Sequence, residues 1–269
     1  MSFEWWQLVV SAAVGMCIAA GLVVGVDEWR WLRRTGRLTA AARSEVTMSL
    51  SLLPPNIVTS LALGGVWLAL YRQAAALAPW QVPVNAPTIA LAFVLVELSY
   101  YWEHRCAHRV PVLWATYHAV HHSSPGYTVA TAYRVSFLNQ FLAPAFYLPW
   151  LLLGFDPLLI LGLQLLSFHY QAWLHTEMIG RLGRLERCVN TPAVHRMHHS
   201  IEPRHRDRNF GAILLVWDKV FGTFAAPEPL RGYGIPGELP PRTLPGLYFD
   251  PWRRARRSAR SPSGQSTRR

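Results

Sequence analysis

A run of 24 residues from Phe3 to Val26 contains a single charge, Glu4, and a helix of that length is about 36 Å long, enough to cross the apolar part of a bilayer. In lipid every backbone amide must find its partner inside the protein, so helices are the form such runs take. A secretory signal would carry positive charge before a shorter apolar core. Here Arg30, Arg33, Arg34, Arg37 and Arg43 follow the run, which reads as a retained span with its amino end outside. A second run, Val46 to Leu70, has Pro54, Pro55 and Asn56 near its start and predicts a kinked or broken first turn ahead of a spanning helix. A third run, Ala86 to Tyr101, returns the chain to the cytoplasmic side. The stretch Ser136 to Leu174 reads as a helical hairpin, split by Gly154-Phe155-Asp156-Pro157 into halves of about 18 residues, each marginal for a full crossing. This topology leaves 25 of the 26 basic residues, and the carboxyl end, in the cytoplasm.

Composition agrees with a membrane protein: 51% of residues are hydrophobic and 15% charged, against about a quarter charged in soluble domains. A net charge of +11 would suit nucleic acid. The basic residues flank apolar runs instead of patterning a polar domain, so a membrane surface explains them and a nucleic-acid partner is excluded. Cys17, Cys106 and Cys188 are too few and scattered for a disulfide framework or a zinc cluster, and read as structural. Three regions are expected: N-terminal transmembrane helices over 1–85, a histidine-bearing domain over 86–252, and a disordered basic tail over 253–269 that can touch anionic lipid.

Nine of the eleven histidines fall into four groups: His104 and His108; His118, His121 and His122; His175; and His195, His198 and His199. Residues three or four apart share a helix face, so each group projects imidazoles from one side. Pro111 suits the start of a helix carrying His118 to His122, which Ser123-Ser124-Pro125-Gly126 can end, and Thr191-Pro192 can cap and open the helix of the last group. A His-x-x-His-His triplet arises by chance in about one such sequence in fifty, and twice in about one in ten thousand. Metal ligation is therefore the reading for all nine, while His169 and His205 read as hydrogen-bonded core residues. So many imidazoles exceed the coordination of one ion, and two metals share them economically; iron, zinc and copper all accept such ligands. A zinc protease is excluded because Arg105 follows His104 where the His-Glu-x-x-His pattern needs its Glu.

With Tyr100-Tyr101-Trp102-x-His104-Arg105-x-x-His108, His118-x-x-His121-His122-Ser123-Ser124, Trp173-Leu174-His175-Thr176, Asn190-Thr191-Pro192-x-x-His195-Arg196-x-His198-His199 and the block from Asn209-Phe210-Gly211 to Gly222-Thr223-Phe224, the chain resembles the fatty acid hydroxylase superfamily, which includes the sterol desaturases. Within it, the chain is most similar to alkylglycerol monooxygenase-like members. The resemblance implies two irons bound by the box histidines, dioxygen as oxidant, a lipid substrate, and an external electron source such as an electron-transfer protein or a reduced pterin-like donor. It implies hydroxylation of an aliphatic lipid, with desaturation at the same site as the alternative. Zinc can replace iron in purified protein. Gln171 stands where some members have a further histidine, and Arg109 where the alkylglycerol enzymes carry an acid.

Three residues are expected to support the ligands. Glu97 lies on one stripe with Tyr101, His104 and His108 and can accept a hydrogen bond from a ligand imidazole or a nearby donor, or else pair with an interfacial arginine. Asp207, with Asn209, resembles a position that orients His198 or His199, and Gln171 lies four residues before His175. Ile213 to Phe224 is too short to span and reads as an interfacial lid, with Trp217 and Phe221 packing or anchoring it. A non-catalytic metal carrier or haem protein would instead distribute single histidines or polar groups along the membrane path. The fold class expected is all-α: a polytopic membrane helical protein whose cytoplasmic helical cap encloses a histidine-rich dimetal site.

Overall fold

The computed structural model describes residues 4–237 and 243–260. Among the described residues all regular elements are helical, with two isolated bridges, Val189 to Leu214 and Ser200 to Tyr233. Helix α1 (Trp5–Arg34) continues well past its apolar run. Helices α2 (Ala40–Leu50) and α3 (Leu53–Ala76) are separated at Ser51-Leu52 because Pro54 and Pro55 occupy the first turn of α3, where missing amide donors cost nothing. Helix α4 (Ala86–Arg109) starts in a capping box: Asn85 Oδ1 accepts from Thr88 N at 3.1 Å and Thr88 Oγ1 from Asn85 N at 3.0 Å.

Two helices, Trp5–Arg34 and the joined Ala40–Ala76, are long and apolar enough to cross a membrane, where the sequence suggested three clear spans. Helix α4, which holds the third run, falls outside this pair; it buries Glu97, Ser99, Glu103 and His104 and carries polar groups inward. The faces of α1 and α3 are apolar yet uncovered, with Met16 67% and Leu61 79% exposed, the pattern of surfaces in contact with lipid.

The hairpin is present, but its arms are unequal. The first is a series of short turns, α8 (Asn139–Leu142), a 3-10 turn Ala143–Tyr147 and α9 (Leu148–Leu152); the second is α10 (Pro157–Tyr170). Pro144 and Pro149 interrupt the first arm. Asp156 caps α10 through Leu158 N and Leu159 N at 2.8 and 2.9 Å. Gly154 turns the chain at φ +88°, and a Cβ there would lie 2.3 Å from the carbonyl oxygen of Trp80. The tip is fixed to the α3–α4 connection, where Val82 N donates to Gly154 O at 2.8 Å and Trp80 Nε1 to Leu153 O at 3.0 Å. The hairpin therefore reaches the end of the bundle at which α4 begins, and the histidines gather at the other.

One core joins these elements: Trp6 and Val10 from α1, Tyr71 and Ala75 from α3, Ala92 and Val96 from α4, and Leu151, Leu159, Ile160 and Leu163 from the hairpin. Helix α13 (Leu244–Arg260) buries Leu247 against Leu52 and Val120. The tail expected from Arg253 begins inside this helix, which runs to Arg260, and 261–269 lies outside the described residues. The three cysteines are free thiols.

Candidate metal centre

Short helices at the free end of α4 present the remaining histidines. The segment after Pro111 consists of α5 (Pro111–Leu113), a π turn Trp114–His118 and α6 (Ala119–His122); one wide turn resets the phase of His118 relative to α5, as π turns at functional sites often do. His175 follows a 3-10 turn, Gln171–Leu174, at the end of α10. Helix α11 (Pro192–His198) is capped by Thr191, whose Oγ1 accepts from Val194 N at 3.4 Å.

The nine imidazoles form two groups. His104, His108, His118, His122 and His198 bring one nitrogen each within 4.8 Å of one another; His121, His175, His195 and His199 do the same. The sequence clusters are not the spatial ones. On the box-two helix His118 and His122 face one group and His121 the other, and on α11 His198 faces the first group while His195 and His199 face the second. Residues four apart lie about 40° apart around a helix and adjacent ones about 100°, so an adjacent His-His pair bridges two sites.

Backbone carbonyls fix several rings. His104 Nδ1 donates to Phe210 O at 2.8 Å, His198 Nδ1 to Arg208 O at 2.8 Å, and His175 Nδ1 to Gln171 O at 2.9 Å. Each bond places the proton on Nδ1 and leaves a lone pair on Nε2. These Nε2 atoms face other imidazoles: His104 to His118 at 3.1 Å, His198 to His122 at 3.1 Å, and His175 to His195 and His121 at 3.1 and 3.3 Å. His118 Nε2 also lies 2.8 Å from His108 Nε2, and one proton cannot serve both contacts. Burial holds His175 down to about 3 and His198 to about 4. Burial first, and then repulsion among the rings, pushes His118, His121, His122, His195 and His199 well below the ordinary value. Neutral rings with converging lone pairs, and buried nitrogens without partners at His121 Nδ1, His195 Nδ1 and His199 Nε2, fit a pair of cations with imidazole-rich shells.

The loop whose carbonyls orient His104 and His198 is itself tied down by two carboxylates. Glu97 accepts from Ile213 N and Leu214 N, both at 2.8 Å, and from Ser167 Oγ at 2.6 Å. It accepts from nearby donors, and neither a ligand imidazole nor an arginine is its partner among these bonds. Asp218, on α12 (Val216–Val220), accepts from Phe210 N and Gly211 N at 2.8 Å and Thr223 Oγ1 at 2.7 Å. Asn209 clamps the same loop, donating to Val194 O and Ala225 O and accepting from Ala225 N. A third carboxylate, Glu28 of α1, accepts from Val129 N, at the start of α7 (Val129–Ala132), at 2.8 Å and from Thr176 Oγ1 at 2.5 Å, joining the first long helix to the His175 loop.

The other expected positions divide. Asp207 meets Arg109 at 3.2 Å and lies 3.8 Å from His108 Nδ1, while the hydrogen bond at His198 Nδ1 goes to a backbone carbonyl; the left-handed backbone at Asp207, φ 57°, turns its side chain toward the first box. Gln171 contributes its carbonyl to His175, and its side chain accepts from Tyr100 at 2.7 Å. His205 is the buried, hydrogen-bonded residue expected, between Ser200 Oγ at 3.0 Å and Glu228 at 2.5 Å. His169 is only partly buried and lines a cleft instead of the core. Phe221 packs on Tyr101 with ring centres 5.1 Å apart. Asp218 and Glu28 were not singled out from the sequence, where each sits beside another charged residue, Lys219 or Asp27, and reads as an ordinary polar position.

A cleft that is partly open to the outside reaches His118 of one group and His121 and His175 of the other. Tyr100, Glu103 and Phe168 help to form its walls.

Residues 89–223 match the family described as fatty acid hydroxylase. The chain belongs to the fatty acid hydroxylase family. Among curated relatives, this hydroxylase-family chain is 38% identical to the alkylglycerol monooxygenase of Homo sapiens over 74% of its own length and 44% of the relative. It is 43% identical to that of Danio rerio over 58% of its length and 34% of the relative, and 32% identical to an ornithine lipid hydroxylase of Rhizobium tropici over 52% and 42%. The chain thus spans between a third and a half of the length of these relatives. No solved structure gives a significant match. The family match begins and ends within the helices and loops that hold both histidine groups, from α4 to Thr223.

Proposed function

We propose that this fatty acid hydroxylase family member is a membrane oxygenase that hydroxylates an aliphatic lipid, with two irons held by His104, His108, His118, His122 and His198 on one side and His121, His175, His195 and His199 on the other. The observation that carries this reading is the convergence of nine neutral imidazoles in two groups, members of both lining one open cleft. No side chain abstracts hydrogen from an unactivated methylene, so the irons, with dioxygen and electrons from an external protein or reduced pterin-like donor, supply that chemistry when bound. The relatives named as lipid hydroxylases support the substrate class.

The chain's own residues have three tasks. The Phe210, Arg208 and Gln171 carbonyls hold the ring tautomers, and Glu97 and Asp218 hold the loop that provides two of them. Tyr100, Phe168 and Ala172 give the cleft an apolar part against which an aliphatic chain can pack. Residues 1–85 anchor the unit in the membrane and 86–252 form the oxidising part, with the amino end outside and the histidines and the carboxyl end in the cytoplasm, as the distribution of arginines favours.

Lipid profiling of cells with and without the gene tests the proposal. A lipid heavier by one oxygen, lost with His121→Ala, is the expected result. A product lighter by two hydrogens would assign desaturation instead, and no oxygen consumption by iron-loaded protein with any reductant would end the proposal.

A further inference from the structure

The cleft beside the histidines is not a plain hydrocarbon slot. Glu103 lies in its wall, 6% exposed, and among the described residues no arginine, lysine or histidine lies within ion-pair distance of its carboxylate. Burial of a carboxylate without a cation is costly unless something donates to it. Its one hydrogen bond from a side chain comes from the Tyr117 hydroxyl, at 3.1 Å, and a carboxylate has room for about four.

The neighbouring donors are already committed. Tyr117 donates to Glu103 itself, Tyr100 donates to Gln171 Oε1 at 2.7 Å, and Gln171 Nε2 donates to Ser167 O at 3.1 Å. What remains on Glu103 is acceptor capacity, in its other lone pairs; Asn139 Oδ1 is buried without a partner beside the cleft, and the Asn139 amide can serve as acceptor or donor. Tyr133 and His169 also line the cleft, but a hydroxyl and an imidazole serve either way and set no preference.

From this geometry we infer that Glu103, supported by Asn139, is the recognition site for a hydrogen-bond-donating, non-anionic polar group of the lipid, a hydroxyl or an ammonium, and that the cleft rejects carboxylate and phosphate groups at this position. Glu103 is a specificity-determining residue here and takes no part in holding the metals: it belongs to neither histidine group. The inference deepens the proposal above, resting on its reading that a lipid enters this cleft.

The test is binding without turnover. Metal-loaded full-length protein, in one detergent, is offered hexadecanol, hexadecylamine and hexadecanoate at equal mole fraction, and bound lipid is counted by native mass spectrometry. Comparing each probe between native protein and variant cancels its partition into the micelle. Glu103→Gln, which keeps an acceptor but removes the charge, lowers amine occupancy by about tenfold and alcohol occupancy by less, and leaves hexadecanoate unchanged or higher, the loss expected of a charge-assisted hydrogen bond. Asn139→Ala lowers both donor probes by a smaller factor, which covers the case in which Glu103→Gln does not fold. Equal changes for all three probes, or loss confined to hexadecanoate, would overturn the inference. Because occupancy is read without oxidation, a chain that binds in this order yet never consumes oxygen would defeat the oxygenase proposal and leave this assignment standing.

Discussion

Replacing Asp218 by alanine is the sharpest probe of how the histidines are held. Its carboxylate is fully buried and accepts from two backbone amides and one hydroxyl, at 2.7 to 2.8 Å. Each donor left unsatisfied in the interior costs about 1–3 kcal/mol. Water entering the vacated space recovers part of that, so Asp218→Ala should destabilise the protein by about 4 kcal/mol. The consequence for the metals is selective. Phe210, whose amide Asp218 holds, is the residue whose carbonyl orients His104, and loss of such an orienting contact typically weakens metal binding about 10- to 100-fold. The group of His121, His175, His195 and His199 is oriented from Gln171 instead. Metal titration followed by elemental analysis should therefore show one site weakened and the other unchanged, with Asp218→Asn intermediate because its remaining oxygen still accepts. Two sites of native affinity in a folded Asp218→Ala protein would refute the idea that this carboxylate acts through Phe210 on the metal centre.

Three further outcomes follow from the same geometry. Gly154→Ala should lower the melting temperature markedly, since the turn needs φ +88° and the new Cβ would meet Trp80 O at 2.3 Å; unchanged melting would show that the hairpin tip can shift freely. Metal-free protein should lose stability as pH falls from 7 to 5.5: His175 and His198 stay neutral when folded, with values of about 3 and 4, while the unfolded chain takes up protons below about 6.5. The unfolded state then binds more protons, so stability falls with pH through that window, by about 1.4 kcal/mol per histidine at pH 5.5, and thermal melts of chelator-treated samples at the two pH values would show whether the drop occurs. His205→Gln should leave metal content unchanged, because His205 sits apart between Ser200 and Glu228; elemental analysis showing a lost ion would mean that His205 holds one with Glu202 and Glu228.

Much of this organisation could be read in the chain, and the physical reasons are specific. The histidines stood out because metal chemistry demands one residue type at helical spacing, and the helices that carry them announce themselves through Pro111, Thr191 and Pro192. The partition into five and four did not. Spacing pairs His118 with His122 and His195 with His199, but it does not tell which group each pair joins, and a π turn at Trp114–His118 shifts the phase of the first pair. The orienting groups of His104, His198 and His175 are backbone carbonyls, and a carbonyl carries no residue identity. Glu97 was visible as an acid in an apolar run, but its partners, Ile213 N and Leu214 N, lie more than a hundred residues away. The full extent of the third run was hidden for a related reason: hydropathy over Ala86 to Tyr101 does not reveal that α4 continues to Arg109 and buries polar groups inside the protein.

The most direct test of the account is a high-resolution structure of protein loaded with iron, with the ions located by anomalous scattering. Two peaks are expected, one ringed by nitrogens of His104, His108, His118, His122 and His198 and the other by those of His121, His175, His195 and His199. A single peak, or ions bound away from these rings, would contradict it.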